Sequence, residues 1–113
     1  MIDDYSFARI KINGRVYTSD IMIIDGRVVD SWWRKTGHRV ELDDIGELLA
    51  ARPEVLVIGQ GKPGLMKVSD GLKKELQKNK IRLIEENTSQ AVQTFNRLTD
   101  EGCRVCAGFH LTC

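Results

Sequence analysis

The chain has 113 residues, 42% of them hydrophobic and 29% charged, with 17 Lys+Arg against 16 Asp+Glu for a formal net charge of +1. That is the size and composition of one soluble globular domain, long enough to bury about two-thirds of its unfolded surface without disulfide or metal staples. Near-neutrality excludes a general nucleic-acid binder or an acidic tail as a description of the whole chain.

In chain order, the opening residues Met1–Asp4 are acidic and lack an apolar core, so no signal peptide is expected. Ala8, Ile10 and Ile12 alternate with Arg9 and Lys11, the period of a half-buried strand, and Asn13-Gly14 then supplies a tight hairpin turn. Ile21–Ile24 followed by Asp25-Gly26 repeats that pattern, and two linked hairpins are expected over about residues 7–33. Neither aliphatic run, Ile21–Ile24 or Val55–Ile58, approaches the roughly twenty residues of a membrane span.

From about residue 43 to residue 110 the period changes to a βαβαβ pattern. Asp44 with Glu47 three residues on suggests a capping box for a helix that Pro53 ends. Val55–Ile58 reads as a wholly buried strand. Ser69 or Asp70 opens a second helix with Leu72 and Leu76 on one face, Ile81–Ile84 is the next strand, and Thr88 or Ser89 opens a third helix ended by Gly102. Arg104–Phe109 is the last strand. The expectation is a single α/β domain over residues 1–113, three-layered, with a central mixed sheet around a parallel βαβαβ core and N-terminal hairpins that either extend that sheet or cover one of its faces.

The residues from which a site could be built fall in three places. Gly59-Gln60-Gly61-Lys62-Pro63-Gly64 spells G-x-G-x-x-G after a strand, where backbone N–H groups could meet a phosphate. Against a dinucleotide, Pro63 removes a donor and Leu65–Val68 separates the loop from the helix cap. A plain turn or a small-ligand loop at the strand ends is favoured, with any pocket expected near Gly59–Lys62. Residues 55–84 carry a local charge of +5, with Lys62 and Lys67 flanking the loop, which leaves room for a local anion. Ser31–Arg39 holds two tryptophans among basic residues. Its bland reading is a strand end with indoles on the core, and Arg34 and His38 could form a polar pocket wall. The third place is Cys103, Cys106, His110 and Cys113, whose spacing permits zinc by residue type. A straight strand would hold Cys106 and His110 roughly 13 Å apart, so no metal and no cofactor are expected. A Cys113–His110 nucleophile lacks a third group to orient the imidazole. Three cysteines, an odd count, favour a reduced, cytoplasmic compartment.

Val55-Leu56-Val57-Ile58-Gly59-Gln60-Gly61, Ser89–Leu98 and Phe109-His110-Leu111-Thr112-Cys113 together resemble a family of small uncharacterised domains. Its eukaryotic members include the adipogenesis-associated domain-containing protein and an assembly factor of mitochondrial complex I. The resemblance spans about Phe7 to Cys113. It implies a three-layer α/β fold with a central mixed sheet and an added β layer, and roles exercised through protein contacts. It supplies no catalytic residues, and without a mitochondrial targeting segment the complex I role is not carried over. The expected function is therefore a non-enzymatic interaction or assembly module, monomeric or weakly self-associating, with protein partners and no nucleic acid or membrane. The alternative is a small-molecule or anion-binding protein or enzyme using Arg34, His38, Gly59, Gln60, Gly61, Lys62 and His110.

Overall fold

The computed structural model describes all of residues 1–113. Asn13-Gly14 and Asp25-Gly26, all at positive φ, fold their flanking strands into two hairpins as their turn chemistry requires. The first joins β2 (Arg9–Ile12) to β3 (Arg15–Tyr17), and the second joins β4 (Ile21–Ile24) to β5 (Arg27–Val29). The hairpins are linked in sequence but belong to different sheets. β2 and β3 complete a three-stranded antiparallel sheet with β1 (Ile2–Ser6), a strand without a sequence signal because only Ile2 in it is buried. Ala8 lies in the β1–β2 turn at positive φ, not in the strand.

The central sheet has five strands, ordered β5-β4-β10-β7-β9, where β7 is Val55–Gly59, β9 is Arg82–Glu86 and β10 is Val105–Phe109. β7 pairs parallel with both β10 and β9, while β4 runs antiparallel to β10, so the sheet is mixed. A short parallel pair, β6 (Arg39–Val40) and β8 (Lys67–Val68), stands apart.

Strand alternation divides the interior between the two faces of this sheet. Ile21, Ile23, Val55, Val57, Ala107 and Phe109 pack under the three-stranded sheet and α3 (Thr88–Asp100), which contributes Ala91, Val92, Phe95 and Leu98. Met22, Ile24, Leu56, Ile58 and Cys106 point the other way, against Ile45 and Leu48 around α1 (Gly46–Ala50) and Leu72 and Leu76 of α2 (Asp70–Lys78). The result is a compact three-layer α/β domain. No helix is long and apolar enough to cross a membrane.

Two caps differ from expectation. A 3-10 turn, Leu42–Ile45, precedes α1, and the capping box is Glu41 with Asp44: the Asp44 carboxylate accepts the Glu41 N–H at 2.8 Å. Asp44 is thus the third residue of the turn, not its cap. Asn87 caps α3, accepting from the Gln90 N–H, in place of the expected Thr88 or Ser89. Ser69 caps α2 as expected.

Candidate functional site

The register of β4 on β10 pairs Ile21 with Phe109, which brings the next residues outward, Asp20 and His110, together at the sheet end. His110 Nδ1 lies 2.7 Å from Asp20 Oδ2, and the Leu111 N–H donates to Oδ1 at 2.8 Å. Arg34 enters from the segment after β5. Its Nη2 donates to Asp20 Oδ2 at 2.8 Å and to the Gly37 carbonyl at 2.9 Å, while its guanidinium lies 4.6 Å over the Trp32 ring. The Arg34 side chain is only 5% exposed and that of Asp20 17%.

Burial pushes the Asp20 carboxyl upward. The hydrogen bonds from His110, the Leu111 N–H and Arg34 outweigh it and hold the group below the usual carboxylate range. A carboxylate offers only acceptors, so the His110 proton sits on Nδ1. His110 Nε2 is buried without a partner, as are Arg34 Nε and Nη1. The His38 ring stands edge-on to that of His110, centroids 5.6 Å apart. Tyr5 donates to the Leu111 carbonyl, and burial, then the Asp20 charge, raises its phenol pKa.

Gly61 fits here because it lacks a side chain. At φ +96° a Cβ would run into the Thr112 carbonyl oxygen and lie 2.7 Å from His110 Cδ2. Thr88 ties the loop to the cluster: its hydroxyl accepts from the Gly61 N–H at 2.8 Å and donates to the His110 carbonyl at 2.6 Å. Gly59 is also crowded, though less severely, since a Cβ there would meet the Phe109 side chain, Cδ1, at 2.7 Å.

Arg34, His38, Gly61 and His110 therefore converge on one cluster. Gly59 supports it from β7. Gln60 turns aside to Glu85, and Lys62 is exposed with its N–H on the Thr112 carbonyl. The N–H groups of Gln60, Gly61 and Lys62, the donors an anion would need, are bonded to Glu86, Thr88 and Thr112. No cavity opens at the loop. The expected pocket near Gly59–Lys62 is replaced by the largest groove of the molecule at the opposite, amino-terminal ends of the parallel strands. Strand-end ligand sites need splayed loops, and here the segment after β10 folds across the glycine loop and closes it.

Asp20, Thr88 and Tyr5 carry no local sequence signal for a place in this site. Asp20 is the group that orients the imidazole, and only the β4–β10 register reveals it. The three cysteines are free, and no three His, Cys, Asp or Glu side chains gather in a form that could hold a metal ion. Cys106 is buried in the core and Cys113 is exposed.

The chain matches the model of a family described as "Protein of unknown function (DUF498/DUF598)" over residues 2–110, and it belongs to that family. Among solved structures it is similar to MT938 at 28% identity, covering 100% of this chain and 98% of that one with a TM-score of 0.83. The conserved hypothetical protein PH1505 of Pyrococcus horikoshii superposes with a TM-score of 0.85 at 24% identity, covering 100% and 99%. A Mth938-like domain protein of Bordetella pertussis gives 0.73 at 20% identity, covering 98% and 85%. The last two likenesses show the shared fold.

Proposed function

We propose that this member of the DUF498/DUF598 family is a non-enzymatic, cytoplasmic protein-interaction module whose contact is built around Trp33. The observation that carries the reading is the contrast between adjacent tryptophans: Trp32 is 6% exposed and Trp33 is 77% exposed. Trp32 is locked by its indole N–H on the Asp44 carbonyl at 2.9 Å, and Arg34 is locked by Asp20. Trp33 is thus a large aromatic side chain held outward between two buried neighbours. A preorganised aromatic of this kind loses little entropy on binding and is the residue type that dominates interface energetics. On this reading the Asp20–Arg34–His110 cluster is the clamp that fixes the segment.

The segment that follows it carries exposed cations. Lys35 is exposed, and Arg39 and Lys67 are exposed and directly opposite one another in the β6–β8 pair, a like-charge pairing that a partner carboxylate would relieve. The partner is accordingly a protein presenting an apolar pocket with an acidic rim.

The test compares wild-type and Trp33→Ala protein as immobilised baits in extract from the source cell, followed by affinity measurement on whatever the wild type alone retains. Loss of an aromatic anchor is expected to weaken the partner by about 2 kcal/mol, roughly 30-fold, with the circular dichroism spectrum unchanged. Identical retention by both baits would sink the proposal.

A further inference from the structure

The open groove at the amino-terminal ends of β7, β9 and β10 has a volume of about 570 Å³, within the range of small-molecule sites. Its apolar lining comes from Leu42, Leu49, Pro53 and Ile81, and its cations are Arg52, Lys80 and Arg104. None of the three cations has a carboxylate within ion-pair distance. The two acidic residues of the lining are turned to other donors: Glu54 accepts the Arg104 N–H at 2.8 Å, and Glu75 accepts the Asn79 amide at 2.9 Å. The Arg104 guanidinium is held in turn by the Arg52 carbonyl.

The placement of two of these cations is costly. All three helices of the domain end in a left-handed residue just past the cap. After α3 that residue is Gly102 at φ +86°, the residue type that adopts this conformation without strain. After α1 it is Arg52 at φ +50°, and after α2 it is Lys80 at φ +59°. The α2 end is a complete Schellman turn, with the Lys80 N–H on the Gln77 carbonyl and the Ile81 N–H on Leu76. The α3 end is the same turn, with Gly102 bonded to Thr99 and Cys103 to Leu98. The same Schellman turn thus takes glycine away from the groove and Lys80 where it lines it, and after α1, where the Arg52 N–H bonds to the Leu49 carbonyl and Pro53 has no N–H for the second bond, the left-handed position is again a long cation. Attraction to the carbonyl ends of the helices accounts for a cation somewhere in the last turn, but not for its presence at the one strained position of each.

We infer that this groove binds a small phosphate monoester, with Arg52, Lys80 and Arg104 around the phosphate and the apolar body on Leu49, Pro53 and Ile81. Guanidinium forks suit a tetrahedral dianion, and the volume of the groove suits a metabolite-sized ligand. The site lies at the opposite end of the strands from Trp33 and is independent of the interaction reading.

The test is an amide NMR titration of the full chain with phenyl phosphate, run beside inorganic phosphate and phenol. Saturable shifts confined to the groove are expected, with a Kd of about 1 mM or tighter. Inorganic phosphate should bind several-fold more weakly, and phenol should not saturate. Arg52→Gly and Lys80→Gly relieve the left-handed strain, so each should leave the thermal midpoint unchanged or raised while weakening phenyl phosphate roughly tenfold. Absence of saturable shifts, inorganic phosphate binding as tightly as the ester, or glycine variants that bind like wild type would each overturn the assignment.

Discussion

Replacing Asp20 by Asn tests the central claim about the sheet-end cluster. The substitution keeps the shape and removes the charge. One oxygen of Asp20 takes bonds from both His110 Nδ1 at 2.7 Å and Arg34 Nη2 at 2.8 Å, and the other takes the Leu111 N–H at 2.8 Å. An amide supplies one acceptor oxygen and presents N–H hydrogens to groups that are themselves donors. Arg34, 5% exposed, is left as a buried cation without a counter-charge. Stranding one member of a buried pair costs about 3–5 kcal/mol, and the 17% exposure of Asp20 argues for the lower end, about 3 kcal/mol. For a domain of this size that lowers the thermal midpoint by about 13 °C. Adding Arg34→Met removes the stranded charge, so the double variant should recover part of the loss. The pH profile provides a second readout. The folded carboxyl titrates below its unfolded value, so the unfolded chain binds more protons between the two pKa values and stability rises with pH there. The wild type therefore keeps this contribution above about pH 4 and loses it as pH falls toward the depressed folded value, whereas Asp20→Asn lacks that slope. Urea unfolding as a function of pH measures both. A loss under about 1 kcal/mol with an unchanged acid slope would refute the reasoning.

Three further outcomes are expected. Gly61→Ala forces a methyl into the Thr112 carbonyl at a left-handed φ, and should destabilise by about 3 kcal/mol or more in denaturant titration. Thr88→Val keeps the volume but strands the buried Gly61 N–H and the His110 carbonyl, for about 2–3 kcal/mol, with faster hydrogen exchange at Gly61. Burial raises the Cys106 thiol pKa, so alkylation of native protein near pH 8, read by peptide mass spectrometry, should label exposed Cys113 and spare Cys106 until the chain unfolds.

Local chemistry was legible in the residues wherever one short motif decides the outcome. Asn13-Gly14 and Asp25-Gly26 specify their hairpins, the apolar run of β7 specifies a buried strand, and Ser69 specifies the start of α2. Strand assignment to sheets was not legible, because alternation tells which side chains are buried but not against which partner. The two hairpins therefore looked contiguous although they lie in separate layers. β1 escaped because its Asp3, Asp4 and Ser6 are all exposed and leave no alternating apolar pattern. Arg34, His38 and His110 were visible as chemically capable residues, and their convergence was not. Asp20, a lone carboxylate between Ser19 and Ile21, gains its meaning only from a pairing 90 residues away. The glycine loop was visible as a motif, but its closure depends on backbone bonds to Thr112 and Cys113, which no local pattern encodes.

The position of β10 in the central sheet bears on how the chain acquires its structure during synthesis. β10 follows the other strands of this sheet in chain order, yet it lies in the middle of the sheet, between β4 and β7. Until residues 105–109 emerge, β4–β5 and β7–β9 are two half-sheets, each with an unpaired apolar edge facing the gap that β10 will fill. Both hydrophobic clusters also draw on this strand, one through Ala107 and Phe109 and the other through Cys106. Folding of the central sheet is therefore expected to wait for residues 105–109, to be slowed by long-range pairing, and to be vulnerable to strand exchange between chains in the interval before β10 arrives.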